Sequence, residues 1–223
     1  EIKNPLSSVR NAVETARRVK DSTQRDKLLD IVAQDVTRLD QLLSEIADAS
    51  RIDSEMSRVE AEIVDLGALL TVLVDMQRPA FATQTQHLTL DLPATGTVYV
   101  RAVEDRLVQV FQNILNNALS FNSEGGDVAI HVTQVDDNIC IDIKDQGSGV
   151  AEDLYEAIFD RFHTLRPSGE PFGAHSGLGL SISRQIIDAH GGTISCRNSL
   201  APDGKVLGAC FTIRLPTAKY EKT

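Results

Sequence analysis

Asp145 stands at the end of Ile139-Cys140-Ile141-Asp142-Ile143-Lys144 and is followed by Gly147 and Gly149. A carboxylate fixed at a strand end, beside glycine backbone that another group can approach closely, is suited to accept a directional hydrogen bond from a ligand. A second glycine pair, in Ser176-Gly177-Leu178-Gly179-Leu180, opens an amphipathic run. A helix that starts there offers unpaired amide N–H groups and a favourable dipole to an anion. Asn113 and Asn117, four residues apart, project from one face of a third segment. Neutral oxygens of this kind suit Mg²⁺ held on phosphates, because that cation keeps several waters and needs few protein ligands. Taken singly each signal is weak: Gly-x-Gly occurs in ordinary turns, and an Asn pair in a solvated helix face.

These residues need elements to position them. Ile139, Ile141 and Ile143 alternate with polar residues, the period of a half-buried strand. Asp105 to Phe121 is a helix with a stripe of Leu107, Phe111, Ile114, Leu115 and Ala118. The run after the second glycine pair is a helix with Leu178, Ile182, Ile186 and Ala189 on one face and Gly191 at its C-terminal end. The segment before Phe159 reads as an acidic helix. Strands are expected at 62–66, 87–92, 97–101, 127–135, 138–144, 193–197 and 209–215, and a helix at 66–76. Asp136-Asp137 turns one hairpin and Asp203-Gly204 another. Interleaved strands, hairpins and helices predict an α/β sandwich, a mixed sheet with helices on one face.

The first fifty residues differ. Leu6, Val9, Val13 and Ala16 mark one helix, and Leu29, Val32, Val36, Leu39, Leu43 and Ile46 a second with a coiled-coil-like seam. Leu28, Ile31 and Leu42 widen that stripe beyond what a single hairpin covers, which predicts a homodimeric four-helix bundle. Arg51 to Glu60 is charged and aperiodic and serves as the linker, giving domains 1–53 and 54–223. Ala218 to Thr223 reads as a frayed tail.

The net charge of −10 over 223 residues disfavours nucleic acid or an anionic membrane surface as the main partner. Cys140, Cys196 and Cys210 fall in strand-like segments without metal-site spacing, so buried structural thiols are expected. With no tryptophan the core must be mainly aliphatic. No apolar run approaches the ~20 residues of a membrane span.

In order, Asn113-x-x-x-Asn117-Ala, Asp145-x-Gly147-x-Gly149, Phe159-Asp-Arg-Phe162 and Gly177-x-Gly179-Leu resemble the N, first glycine, F and second glycine boxes of sensor histidine kinases. Glu1-Ile-Lys-Asn4-Pro5-Leu6 resembles the rest of that family's H box. The resemblance covers essentially the whole chain, and its wording looks closest to the ChvG-type envelope-stress branch. It implies a Bergerat ATP-binding fold after a dimerisation and phosphotransfer hairpin. Asp145 then matches the adenine acceptor, and Asn117 with Asn113 the Mg²⁺ position. The backbone from Ser176 through Gly177, Leu178 and Gly179 to Leu180 matches the phosphate cradle, with Phe121, Gly147 and Gly149 beside the nucleotide and residues 163–176 the lid. Glu1 matches the acidic partner of the phosphoacceptor, and Asn4 the residue that positions water for dephosphorylation.

The implied protein is an ATP- and Mg²⁺-dependent histidine kinase core. It passes a phosphoryl group to a response regulator, in the cytoplasm, with membrane segments upstream. Ser120 stands where many members carry a phosphate-binding lysine, leaving Arg161 and Arg166 as candidate cations, and His175 replaces a lid glycine. The acceptor histidine would precede Glu1, so residues 1–223 are expected to bind Mg-ATP without labelling themselves. Another ATPase of the same fold, or a non-catalytic nucleotide-binding scaffold, stand as alternatives.

Overall fold

The computed structural model describes residues 3–19, 21–33, 35–37, 39, 43, 60–94, 98–122, 125–163 and 177–219, with side chains from residue 6 onward. They belong to two compact units, Glu1–Arg51 and Ile52–Thr223. The expected linker from Arg51, apart from Glu60, and the expected lid after His163 lie outside the described residues.

In the first unit, helix α1 runs Lys3–Ala16. Residues 22–33 form a second helix, α2, to which 35–37, 39 and 43 also belong by conformation. Asp21 caps it, its Oδ1 accepting the Thr23 and Gln24 amides at 2.8 and 3.3 Å. Ala12 and Ala16 are buried, but Leu6, Val13, Leu29, Ile31, Val36 and Leu43 are exposed in the single chain. Leu29, Val36 and Leu43, seven residues apart, leave one row of the expected seam open; Val32 and Leu39 are half-buried and Ile46 lies outside the described residues.

The second unit is built from β1 (Glu62–Asp65), α3 (Leu66–Thr83), β2 (His87–Asp91), β3 (Tyr99–Ala102) and α4 (Glu104–Phe121). The hairpin β4 (Asp127–Val135) and β5 (Asn138–Lys144), helix α5 (Gly179–Ala189), and strands β6 (Thr193–Leu200) and β7 (Val206–Pro216) complete it. A mixed five-stranded sheet has the order β2-β4-β5-β7-β6, with β2 parallel to β4 and the other pairs antiparallel. β1 and β3 form a separate antiparallel pair. Period-two burial assigns one sheet face to the core: Val128, Ile130 and Val132 of β4, Ile139, Ile141 and Ile143 of β5, and Phe211, Ile213 and Leu215 of β7. The helices supply Leu70, Leu107, Phe111, Ile114, Leu115 and Ile186. The core is mainly aliphatic, as the composition requires, with Phe81, Phe111, Phe159 and Phe211 its buried aromatics among the described residues.

Several expectations are corrected. The acidic stretch before Phe159 is two 3₁₀ turns, Glu152–Leu154 and Ala157–Phe159. α3 continues to Thr83 through Pro79, which is exposed, while Phe81 is fully buried and anchors the last turn. On α5, Ile187 is buried and Ala189 exposed; His190 is the C-cap and Gly191, at φ 70°, follows it. Ala218 is not frayed, since its amide donates to the Tyr99 carbonyl at 2.7 Å. The three thiols are free, but Cys140 and Cys210 are only half-buried. Cys196 is buried, and desolvation reinforced by the nearby Asp145 charge pushes its thiol up to about 12. His190 joins two helices, accepting the Val103 amide at Nε2 (3.0 Å) while Nδ1 meets the Ile186 carbonyl at 2.7 Å. No helix among the described residues is long and apolar enough to cross a membrane.

Phe111→Ala is expected to cost about 3–5 kcal/mol, because a fully buried ring leaves a cavity that the surrounding core closes only in part. Urea unfolding measures this, and a loss below about 1 kcal/mol would place Phe111 outside the core.

Candidate functional site

Asp145 continues the inward parity of Ile139, Ile141 and Ile143, so its carboxylate enters the core face where β5 ends. It is only 7% exposed. Oδ1 accepts the Gly147 and Ala209 amides, each at 2.9 Å. Oδ2 makes no hydrogen bond among the described residues. Burial raises the carboxyl above the ordinary aspartate range and outweighs the two amide bonds, which lower it.

The loop beyond is tightly held. A β-carbon on Gly147 would collide with the Phe121 carbonyl oxygen. The Gln146 amide donates to Asn122 Oδ1 at 2.8 Å, and Gln146 Oε1 accepts the Asp127 amide at 3.1 Å. Gly149, at φ 72°, lies where a β-carbon would meet Asn198 Oδ1 at 2.7 Å. Asn198 pairs with Val150 as a strand neighbour would, accepting its amide and donating to its carbonyl, both at 2.8 Å.

Near its middle α4 meets α5. Asn113 Nδ2 donates to the Gly179 carbonyl at 3.0 Å and to Ser183 Oγ at 3.3 Å. Asn113 is therefore a clasp between the helices. The Asn117 side chain, half-buried, makes no hydrogen bond among the described residues. α5 starts without a side-chain cap: Leu178 is its N-cap residue, and Ser181 Oγ donates back to the Leu178 carbonyl at 2.8 Å. Its first-turn amides are left to whatever lies before the helix. Leu178 is buried and Leu180 half-buried.

Gly177, at φ 70°, accepts the Phe162 amide at 2.8 Å, which ties together the two ends of the segment between them. Phe159 is buried edge-on against Phe211 with centroids 6.4 Å apart, and the Arg184 guanidinium covers it at 4.0 Å. Arg184 also pairs with Glu156 at 3.0 Å. Phe162 and Arg161 are exposed.

Helix α4 thus acts as a rail. Asn113 touches Gly179 at the start of α5, Phe121 touches Gly147 in the Asp145 loop, and Asn117 lies midway. Eight residues of helix separate the two contacts by about 12 Å. The arrangement offers a carboxylate oxygen at one end, amide donors at the other and an uncommitted amide side chain between them. Of the remaining predicted site residues, Glu1, Arg166 and Ser176 lie outside the described residues, as does the Asn4 side chain. Sequence reasoning missed Asn122, Gln146, Asn198 and Gly208. None of them carried a local signal: Gly208 stands just before the strand expected at 209–215 and enters it only because β7 begins at Val206.

Residues 102–219 match the family model described as Histidine kinase-, DNA gyrase B-, and HSP90-like ATPase, and residues 1–55 match the His Kinase A (phospho-acceptor) domain. The sensor protein ChvG of Agrobacterium fabrum is 41% identical over 226 residues, covering 98% of this chain. The chain spans 38% of that protein's length. A solved Acinetobacter baumannii histidine kinase, AdeS, shares the fold with a TM-score of 0.72 at 21% identity, over 97% of each chain. Histidine kinase ThkA, solved in complex with response regulator protein TrrA, gives a TM-score of 0.75 at 23% identity, over 97% of this chain and 59% of that one.

Asp145→Asn is expected to raise the thermal midpoint at neutral pH. The folded-state carboxyl titrates above its unfolded value, so charging it opposes folding. That penalty is fully present above the raised value and vanishes as pH falls through it to the ordinary aspartate range near about pH 4. Melts at pH 7 and pH 4 measure the difference; a variant less stable at neutral pH contradicts it.

Proposed function

The chain belongs to the histidine kinase-, DNA gyrase B- and HSP90-like ATPase family, as a sensor histidine kinase core with a phospho-acceptor domain in front, and on that premise we propose that it binds Mg-ATP and directs its γ-phosphoryl group to an H-box histidine. The observation that carries this reading is the division of labour within Asp145: one oxygen held by two amides, the other uncommitted in a buried setting. That oxygen accepts the exocyclic amine of adenine, and burial strengthens the bond.

The α5 amides around Leu178, Gly179 and Leu180 take phosphate oxygens. Gly179 packs beside Asn113, whose amide carbon would lie 3.4 Å from a β-carbon at that position, an ordinary contact. Asn117, with Asn113 one helical turn before it, would hold Mg²⁺. Among the described residues no three His, Cys, Asp or Glu side chains gather as a cation cage, which fits an ion bound largely by phosphate and water. When bound, that ion supplies charge neutralisation on the phosphates. Arg161 or Arg166 adds the cation that Ser120 does not.

On the first unit, Glu1 orients or deprotonates the acceptor imidazole, and Asn4 positions water for the reverse reaction on the regulator. The phosphoryl group passes from histidine to an aspartate of a response regulator; ThkA, a kinase of the same fold, is solved with such a protein. The open seam of Leu29, Val36 and Leu43 is closed by a second copy of the chain. A cytoplasmic setting, with membrane anchorage elsewhere in the protein, is part of this reading and is supported by the chain spanning only 38% of the length of the sensor protein ChvG it matches.

Nucleotide titrations with and without Mg²⁺ test the second unit. Asn117→Ala is expected to abolish most of the Mg²⁺-dependent gain in ATP affinity and to leave Mg-free binding unchanged; an undiminished Mg²⁺ effect rules it out as a ligand. Paired charge substitutions Val36→Glu and Leu43→Glu are expected to convert a dimer to a monomer in light scattering while ATP affinity persists. A monomeric parent chain contradicts the bundle. With a histidine preceding Glu1, labelled ATP should yield an acid-labile, base-stable phosphoprotein.

A further inference from the structure

Strand β7 does not run regularly past Asp145. Ser199 of β6 pairs with Gly208, but the next residue, Leu200, pairs with Val206, so Leu207 is an extra residue bulged out of the ladder. It is 49% exposed. On the other side of β7 the ladder with β5 runs regularly to Lys144–Cys210. The next rung is Asp145–Ala209, and half of it forms: the Asp145 amide donates to the Ala209 carbonyl at 3.0 Å. In an undistorted antiparallel pair of this type the two residues exchange both N–H···O bonds. Here the return bond leaves the backbone, and the Ala209 amide donates to the Asp145 side chain at Oδ1.

Gly208 makes that diversion possible. Its φ of 154° is a conformation that residues with a β-carbon rarely adopt. A β-carbon there would collide with the Asp145 carbonyl oxygen and come within 2.9 Å of Oδ1. Two amides thus grip one oxygen of the carboxylate, and a bare α-carbon lies against it.

We propose that the Leu207–Gly208 bulge is the positioning device of the Asp145 site: it fixes which carboxylate oxygen faces the ligand, and thereby which purine edge is accepted. This rests on the adenine reading above and deepens it. With Oδ1 committed to two donors, the ligand meets Oδ2 alone, an acceptor. A purine with an amine at its six position is matched, and a 6-oxopurine sets oxygen against oxygen. The same grip dictates the outcome of Asp145→Asn. The substituted side chain must give its only oxygen to the Gly147 and Ala209 amides, because its NH₂ group cannot accept them. The NH₂ then points at the ligand, and the site changes from acceptor to donor. Gly208, distant from Asp145 in sequence and pressed on it in space, is therefore a positioning residue for base selection and touches no nucleotide itself.

Competition of ATP and ITP against a fluorescent trinitrophenyl-ATP probe on the full chain tests this. Parent protein is expected to prefer ATP, and Asp145→Asn to prefer ITP, each by roughly tenfold or more, the scale of one hydrogen bond to a charged or buried group. Gly208→Ala, checked for folding by its melt, is expected to bring the ATP/ITP ratio near one, and adding it to Asp145→Asn to erase the ITP preference. A substitution that merely loosened the fold would weaken both nucleotides alike and leave the ratio intact. If Asp145→Asn loses ATP without gaining ITP, or folded Gly208→Ala keeps the parent ratio, the positioning role is overturned while the adenine reading stands. If the parent protein does not distinguish ATP from ITP and Asp145→Asn changes neither, the adenine reading itself fails. Should Gly208→Ala not fold, the isosteric Asp145→Asn inversion decides alone.

Discussion

A buried carboxylate shared between two backbone amides and one open direction is the constraint on which this structure turns. Burying Asp145 costs free energy that hydrogen bonds only partly offset, as its raised titration range records. The protein tolerates that cost because the surroundings cannot relax. Gly147 is pressed on the end of α4, Gly208 on Asp145 itself, and the Ala209 amide is drawn out of the sheet ladder. Asn122, Gln146 and Asn198 fasten the adjoining loop by side chain to backbone bonds. A site held this firmly has its polar direction set before any ligand arrives, so little ordering remains to oppose binding.

α4 converts that local constraint into an extended site. One helix carries the contact with the Asp145 loop at its C-terminal end and the contact with α5 near its middle, so the distance between the two ends of the site is fixed by helix rise. Its other face is sealed by Leu107, Phe111, Ile114 and Leu115, all fully buried against the sheet. α5 is fixed in turn at both ends, by Asn113 at its first turn and by His190 at its last. The two glycine clusters are thus coupled through packed helices, and Phe162 and Gly177 are tied to each other by a single backbone bond.

Much of this was legible in the sequence because it follows short periods. Alternation at Ile139, Ile141 and Ile143 gave the strand that ends at Asp145, and the three-four spacing from Leu107 to Ala118 gave the rail helix. Features set by tertiary register were not legible. Asn198 looks like any polar strand residue until β6 is laid beside the Asp145 loop, and the redirected Ala209 amide shows only once β7 is laid beside β5. Local propensity also misled where packing prevailed. The acidic stretch before Phe159 closes into 3₁₀ turns that bury Ile158 and Phe159, and α3 passes Pro79 to bury Phe81. The pair Asn113 and Asn117 read alike in sequence, yet the structure gives one a clasping role and leaves the other uncommitted.

A structure of the chain with Mg²⁺ and a non-hydrolysable adenine nucleotide measures the central claim most directly. The account predicts the exocyclic amine within hydrogen-bond distance of Asp145 Oδ2, with Oδ1 still held by the Gly147 and Ala209 amides and the phosphates at the start of α5. A base seated away from Asp145, or an Oδ1 released from those two amides to reach it, would contradict the account.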